Sequence, residues 1–249
     1  MSLFSDQKII KLTETASTND YLEQIQKSSS IPEGTVVITQ KQSQGKGMDT
    51  NKWDSEPGKN LTLSIYLTPN FIAPCDQFSI STCASLAVYD FIKNYTNQNI
   101  SIKWPNDIYV NDQKISGILI RHGIEGNQIG HSIIGIGINM NQDKFASWVP
   151  NPTSIKNIID KDVDLNEALA KFLPCFENRY KQLREGVLTE MKQEYLQLMY
   201  KRNQFAKYMY LGKKITAKIT GIGEYGFLQF EDKKGVVYEC DLKEIEYLH

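Results

Sequence analysis

"KWPNDIYVNDQKISGILIRHGIEGNQIGHSIIGIGINM", Lys103 to Met140, decides how this chain folds. Its apolar runs are short, rich in isoleucine and interrupted by turn residues. "YVNDQK" and "IEGNQ" supply the turns that separate "DIYV", "QKISGILIR" and "GNQIGHSIIGIGINM", a pattern of consecutive antiparallel hairpins. Pro105 cannot donate to a ladder and ends the strand "ISIKW". In the last segment Gly135, Gly137 and Asn139 fall on one face, Ile134, Ile136 and Ile138 on the other. One side of this strand is therefore apolar. The other is stripped of side chains and ends in a carboxamide. Either something lies flat against the glycines, or a bulge or closely packed helix accounts for them.

Working outward, "KIIKLTET" and "TVVITQKQ" read as strands, with a short helix to about Ser28 between them, capped by Ser17 or Thr18. "NLTLSIYL" alternates as a half-buried strand. From about Asp76 to Tyr95 the period becomes helical, with Ile80, Ala84, Ala87, Phe91 and Tyr95 on one face. The prolines of "SWVPNPTS" mark a loop. Leu165 to Arg184 and Leu188 to Tyr200 read as helices broken at Gly186. From about Gln204 short strands return: "KKITAKITGI", "YGFLQFE", "GVVYECDL" and "EIEYL". The order predicts an α+β domain, residues 1–203, with helices on one face of a mixed sheet. Residues 204–249 are few for an independent core and predict a small β-barrel docked on that body.

Composition sets limits. A formal net charge of −1 gives no electrostatic reason for a polyanionic partner, so no DNA is expected. Cys75, Cys83, Cys175 and Cys240 form no CxxC pair, and the three histidines are scattered, so neither disulfides nor a zinc site is expected. The opening "MSLFSDQKII" lacks a signal-peptide core and no apolar run reaches spanning length, so the expected location is cytoplasmic, without a membrane.

Four stretches carry candidate chemistry. "QGKGMDTNKW", Gln44 to Trp53, holds Lys46 between Gly45 and Gly47; it fits neither familiar phosphate loop, since GxGxxG fails at Thr50. "STND", Ser17 to Asp20, is a helix cap or a set of hydroxyls and free amides facing a polar ligand. Asn106 and Asp107 after Pro105 either stabilise a turn or meet a metal-bound phosphate. Lys114, in the same strand as Gly117, is an exposed hairpin lysine or a working cation.

In order, "STN", a strand ending in Gln42, "GKG" with Trp53 downstream, "KWPND", "KISGIL" and "GIGIN" resemble the biotin protein ligases, from about Ile9 to Asn141 and more loosely beyond. The resemblance implies a class II synthetase-like catalytic domain of the biotin/lipoate ligase kind, followed by a small SH3-like barrel. It implies a monofunctional ligase, because a strand within the opening dozen residues leaves no room for a winged helix. ATP and biotin would be substrates with Mg2+, biotinyl-5′-AMP the intermediate, and a lysine of a biotin carboxyl carrier domain the acceptor; a homodimer is compatible. Ser17, Thr18, Asn19 and Gln42 would surround the ureido head. Gly135 and Gly137 would form the floor, and Gly117 would offer backbone. Lys114 and Lys46 would be the catalytic cations, with Gly45, Gly47 and Met48 completing the loop over biotin. Trp53, Met48, Asn106, Asp107 and Asn139 would contact the adenylate, and Asn106 and Asp107 the metal. The family loop is usually GRGRxxxxW; here Lys46 keeps one charge and Met48 loses the other. A lipoate ligase, a non-catalytic biotin sensor and a nucleic-acid-binding barrel are the rival readings.

Overall fold

A computed structural model gives the architecture of residues 3–4, 9–48 and 51–248. The elements are β1 (Ile9–Thr15), α1 (Thr18–Ser28), β2 (Val36–Gln42), β3 (Leu61–Leu67), α2 (Phe78–Ile92), β4 (Ile100–Lys103), β5 (Asp107–Val110), β6 (Gln113–Glu125) and β7 (Gln128–Ile138). These are followed by α3 (Ile155–Ile159), α4 (Leu165–Arg184), α5 (Leu188–Gln197), β8 (Phe205–Tyr210), β9 (Lys213–Ile222), β10 (Leu228–Asp232), β11 (Val237–Cys240) and β12 (Ile245–Tyr247). Lys8 and Asp49 lie outside the described residues.

A seven-stranded sheet runs β1-β2-β3-β7-β6-β5-β4. β1 and β2 are parallel and the remaining pairs antiparallel, which makes the sheet mixed as expected. The three successive hairpins of β4 to β7 follow from the turn residues between short apolar runs.

The two sheet faces differ in what covers them. Leu61, Leu63, Ile65, Ile134, Ile136 and Ile138 bury one face in a core shared with α2 and α4. These two longest helices share that face, as the element order anticipates. The short α1 lies across part of the opposite face, where Leu22 packs with Val37, Tyr66 and Ile133. This is why β3 is buried throughout rather than on alternate residues. The alternation of Thr62, Ser64 and Tyr66 marks the face toward α1, not solvent.

Arg179 of α4 ties three helices together. Its guanidinium spans Asp90 of α2 (Nε to Oδ2, 2.6 Å) and Glu194 of α5 (Nη1 to Oε2, 2.6 Å). Burial and two carboxylates are what this planar, five-donor group satisfies well.

Past Asn203 a second, antiparallel sheet of five strands forms in the order β11-β10-β9-β8-β12. It includes β8, absent from the strands singled out in the sequence. Trp104 Nε1 donates to the Gly226 carbonyl at 2.9 Å and joins this sheet to the body. The proline loop leads into the short α3, also not anticipated, with Ser154 capping it through Asn157 N.

Candidate active site

Ladder register builds the floor of the site. Lys103 of β4 pairs with Asp107 of β5, Asp107 with Gly117 of β6, Gly117 with Gly137 of β7, and Gly137 with Thr62 of β3. Paired residues share a face, so this row sets a lysine and a carboxylate at one end, two bare glycines in the middle and a hydroxyl at the other. The adjoining row, Leu119, Gly135 and Ser64, continues the same face.

Lys114 reaches this row through an irregularity. Counting by twos from Gly117 puts Lys114 on the opposite side of β6. A register shift between Ile108 and Tyr109 pairs Ser116 with Ile108 and Lys114 with Tyr109, which leaves Ile115 as an extra residue. The bulge turns Lys114 to the floor side, where Nζ lies 2.7 Å from Asp107 Oδ1 and 5.8 Å from the Trp53 ring centroid. Re-aiming a side chain is what a bulge does. Asn106 holds the turn before β5: its Nδ2 donates to the Ile118 carbonyl (2.7 Å), and Ile118 N donates to the Asn106 carbonyl (2.9 Å).

The start of α1 closes the hydroxyl end. Ser17 caps the helix by accepting from Asp20 N. Thr18 N donates to Gln42 Oε1 at 2.8 Å, and its hydroxyl lies 3.1 Å from the same oxygen. Ser64 Oγ sits between Thr18 Oγ1 (2.6 Å) and Asn19 Oδ1 (2.5 Å), while Asn19 Nδ2 donates to the Leu119 carbonyl. A Cβ on Gly135 would stand 2.5 Å from Asn19 Oδ1, so the close-packed helix explains that glycine.

Gly137 has a different neighbour. A Cβ there would meet Trp53 Cε2 at 2.3 Å, and one on Gly117 would meet Trp53 Cζ3 at 3.1 Å. The indole lies on the glycine floor, with its Nε1 buried and unpaired among the described residues. A ligand flat on Gly137 and this ring cannot occupy the floor together.

The glycine loop is a narrow hairpin. Lys46 and Lys52 form an antiparallel bridge; Trp53 N donates to the Gly45 carbonyl (3.0 Å) and Gly47 N to the Asn51 carbonyl (2.8 Å). A Cβ on Gly45 would fall 2.4 Å from the Trp53 carbonyl oxygen. In this structure Gly45 is bare because the loop's own arms approach there. Lys46 Nζ lies 2.7 Å from Asp20 Oδ2, and Arg121 Nη1 lies 2.7 Å from Asp20 Oδ1. Burial would raise the Asp20 carboxyl, but the hydrogen bonds from Lys46 and Arg121 outweigh it and hold the group below its usual range.

Every candidate named from the sequence except Gly45 lines one cavity of about 530 Å3, a size typical of small-molecule sites. Asn139 is buried there, its Nδ2 donating to the Thr153 carbonyl and its Oδ1 unpaired among the described residues. The sequence reading missed Ser64, Lys103, Arg121 and the aromatic lip of Phe145 and Trp148. Lys103 sat inside the quoted "KWPND" run, where its position at a strand end two residues before Pro105 was the available signal. Ser64 was visible only as the polar phase of β3. Arg121 and the lip carry no local signal. Among the described residues no group of three or more His, Cys, Asp or Glu side chains stands together as a candidate metal-holding cluster.

Comparison with known proteins gives this geometry a lineage. Over 224 residues the chain is 31% identical to a bifunctional ligase/repressor BirA of Bacillus spizizenii, covering 87% of this chain and 68% of that protein. A biotin–[acetyl-CoA-carboxylase] ligase of Paracoccus denitrificans is 25% identical over 232 residues, with 91% of each chain covered. The solved structure of biotin protein ligase from Aquifex aeolicus in complex with biotin and ATP superposes with a TM-score of 0.79 at 28% identity, covering 96% of this chain and 97% of that one. The sequence pattern of the biotin/lipoate A/B protein ligases matches residues 11–139, from within β1 through every floor residue to Asn139, and the chain belongs to that family.

Proposed function

We propose that this protein is a biotin protein ligase, which uses ATP to attach biotin to a lysine of a biotin carboxyl carrier domain through biotinyl-5′-AMP. The observation that carries this reading is the ladder row, which sets a bare glycine floor between a hydrogen-bonding end and a cationic end. The relatives' biotin- and ATP-directed activities support it.

The polar end suits the ureido head. Thr18, Asn19, Gln42 and Ser64 form a connected set of donors and acceptors, buried except for the half-buried Gln42. A ring with polar atoms can exchange hydrogen bonds with this set, whereas a ring without them leaves the set bonded only to itself and gains nothing from it. This favours biotin over lipoate within the family. Gly117 and Gly137 allow the fused rings and acyl chain to lie against backbone once the Trp53 ring moves.

At the cationic end the biotin carboxylate attacks the α-phosphate of ATP and pyrophosphate leaves. Lys114 neutralises charge that accumulates between the approaching oxygens, and the Lys46 loop closes over the product. In the second step the carrier lysine's neutral amine attacks the acyl carbon, and AMP departs with the bonding electrons. Asp107 beside Lys114 is placed to receive the amine's proton. Asn139, with its free Oδ1, and Trp53 are the groups for the nucleotide. Mg2+ is a hard ion that prefers oxygen donors and keeps substrate phosphates as ligands. Asp107 and the Oδ1 of Asn106 would face such an ion arriving with the nucleotide, and it would offset charge on the phosphates. Residues 1–203 carry this chemistry, and residues 204–249 form the appended sheet.

The test is incubation with labelled biotin, MgATP and a carrier domain, with labelled lipoate in parallel. Biotin-, ATP- and Mg2+-dependent labelling of one carrier lysine is expected. Labelling by lipoate alone would reverse the substrate choice, and biotin binding without pyrophosphate release would make the protein a sensor.

A further inference from the structure

Two of the cavity's lysines are each held by a carboxylate: Lys114 by Asp107 and Lys46 by Asp20, both at 2.7 Å. Lys103 is held differently. Its Nζ lies 4.6 Å from the ring centroid of Tyr247, 5.2 Å from that of Tyr109 and 3.2 Å from the Tyr109 hydroxyl. Among the described residues no carboxylate oxygen comes within ion-pair distance of it. Ring faces attract an ammonium without accepting all of its hydrogen bonds, so N–H donors remain for an anion in the cavity that Lys103 lines. Tyr247 belongs to β12, at the far end of the second sheet, and is the element of that sheet that touches a cavity cation. Its hydroxyl is buried without a partner among the described residues, so the ring face is what it offers.

Position along the row suggests which anion. Lys103 lies on the edge strand, two strands from Gly117, or about 10 Å at the usual strand spacing. Lys114 stands nearer the floor, where a carboxylate and an α-phosphate would meet. The outer phosphates therefore extend toward β4. When the biotin carboxylate oxygen bonds to the α-phosphorus, the bond to the bridging oxygen breaks and its electron pair leaves on pyrophosphate. The added charge appears on that outer group.

Resting on the ligase reading, we propose that Lys103 binds the β- and γ-phosphates of ATP and stabilises pyrophosphate as it leaves, and that Tyr247 is the positioning residue that aims it. Burial lowers the pKa of the Lys103 ammonium, against the opposing pull of Asp107, so an arriving phosphate has desolvated charge to stabilise.

Calorimetric titration of the full chain with MgATP and, separately, AMP tests this. Lys103→Met should weaken MgATP binding at least tenfold and leave AMP within twofold. Carrier labelling from supplied biotinyl-5′-AMP should also stay within twofold. Tyr247→Leu should reproduce the ATP-selective loss, Tyr247→Phe should bind as wild type, and Lys103→Met with Tyr247→Leu should be no worse than Lys103→Met alone. Equal losses for ATP and AMP, additive losses, unchanged ATP affinity or a wild type that does not bind MgATP would each overturn the proposal. If Tyr247→Leu does not fold, the ATP/AMP contrast of Lys103→Met decides. Selective ATP loss in a protein that releases no pyrophosphate with biotin would sink the ligase reading and leave the phosphate site standing.

Discussion

On the sheet, Lys103, Asp107, Gly117, Gly137 and Thr62 are fixed to one another by successive ladder pairings. On the hairpin from Gly45 to Trp53, position depends on three short-range backbone hydrogen bonds, the Lys46–Lys52 bridge and the ion pair of Lys46 with Asp20. The sheet holds its groups in place before any ligand arrives, so their electrostatic work costs no reorganisation. The hairpin instead sets its tryptophan on the floor that the ligand needs. Rate and recognition therefore belong mainly to the sheet, and retention of the intermediate to the loop.

The largest expected effect is at the cationic end of the sheet. Lys114→Ala should lower biotin-dependent pyrophosphate release by about 10²–10³-fold, the range for loss of one preorganised charge donor. Its side chain is partly exposed and its partner Asp107 stays near solvent, so stability should change by less than about 1 kcal/mol. Lys46→Ala, which removes a cation from the loop, should cost closer to tenfold. Equal losses from both, in folded proteins, would erase the distinction between the regions.

Glycines give the next contrast. Gly135→Ala pushes a methyl into the space of Asn19 Oδ1 and disrupts its bonds to Ser64 and the Leu119 carbonyl. Two buried polar groups without partners should weaken biotin binding by about 10–100-fold. Gly47→Ala meets only Asn51, its Cβ at 3.2 Å and its carbonyl oxygen at 3.4 Å, in a loop that can give, and should change affinity less than threefold. Biotin titration of the two variants measures the difference directly.

The sheet's preorganisation also has an acid limit. His122 of β6 bonds Ser132 through Nδ1, and burial, helped by the nearby His131, lowers its pKa to about 4. A lowered histidine stays neutral in the fold while the unfolded chain takes up a proton below about 6.5. Stability is therefore intact above about pH 6.5 and falls as pH drops toward 4, by about 3 kcal/mol. Urea midpoints across that window should slope for wild type and flatten for His122→Gln. An unchanged slope would place the acid-sensitive group elsewhere.

How far the site was legible follows the same division. Period-two alternation revealed the Gly135, Gly137 and Asn139 face, because strand geometry is local, and the helix at Ser17 was visible through its cap. Lys114 was found as a candidate, but its orientation depends on the bulge at Ile115, which no alternation reveals. Lys103 and Tyr247 lie far apart in the sequence, and their encounter is a product of docking alone. The resemblance places the loop glycines in a loop over biotin. In the structure Gly45 makes room for the Trp53 carbonyl, and that depends on how the hairpin closes.

Met48 offers a modest effect and the sharpest probe of the loop. Its half-buried side chain lines the cavity beside Lys46, in the place where the family's usual loop carries a second arginine. A guanidinium over the phosphate would add charge-assisted hydrogen bonds, each worth roughly 1.5–3 kcal/mol. Methionine supplies only apolar contact. Met48→Arg should therefore slow escape of biotinyl-5′-AMP about tenfold, since about 1.4 kcal/mol is a factor of ten and ordering a long side chain offsets part of the gain. Carrier labelling should change less, because closing the loop more firmly also delays access to the acyl carbon. Met48 borders a second hollow as well, lined by Asp241 and Leu242 of the C-terminal sheet. An arginine drawn to Asp241 would leave the intermediate's escape unchanged, and adding Asp241→Asn would then restore the slowing. Dissociation of the adenylate, followed with carrier absent, separates these outcomes. Equal rates in wild type, Met48→Arg and the double variant would mean that position 48 does not face the phosphate, and that this hairpin closes over its ligand by a different edge.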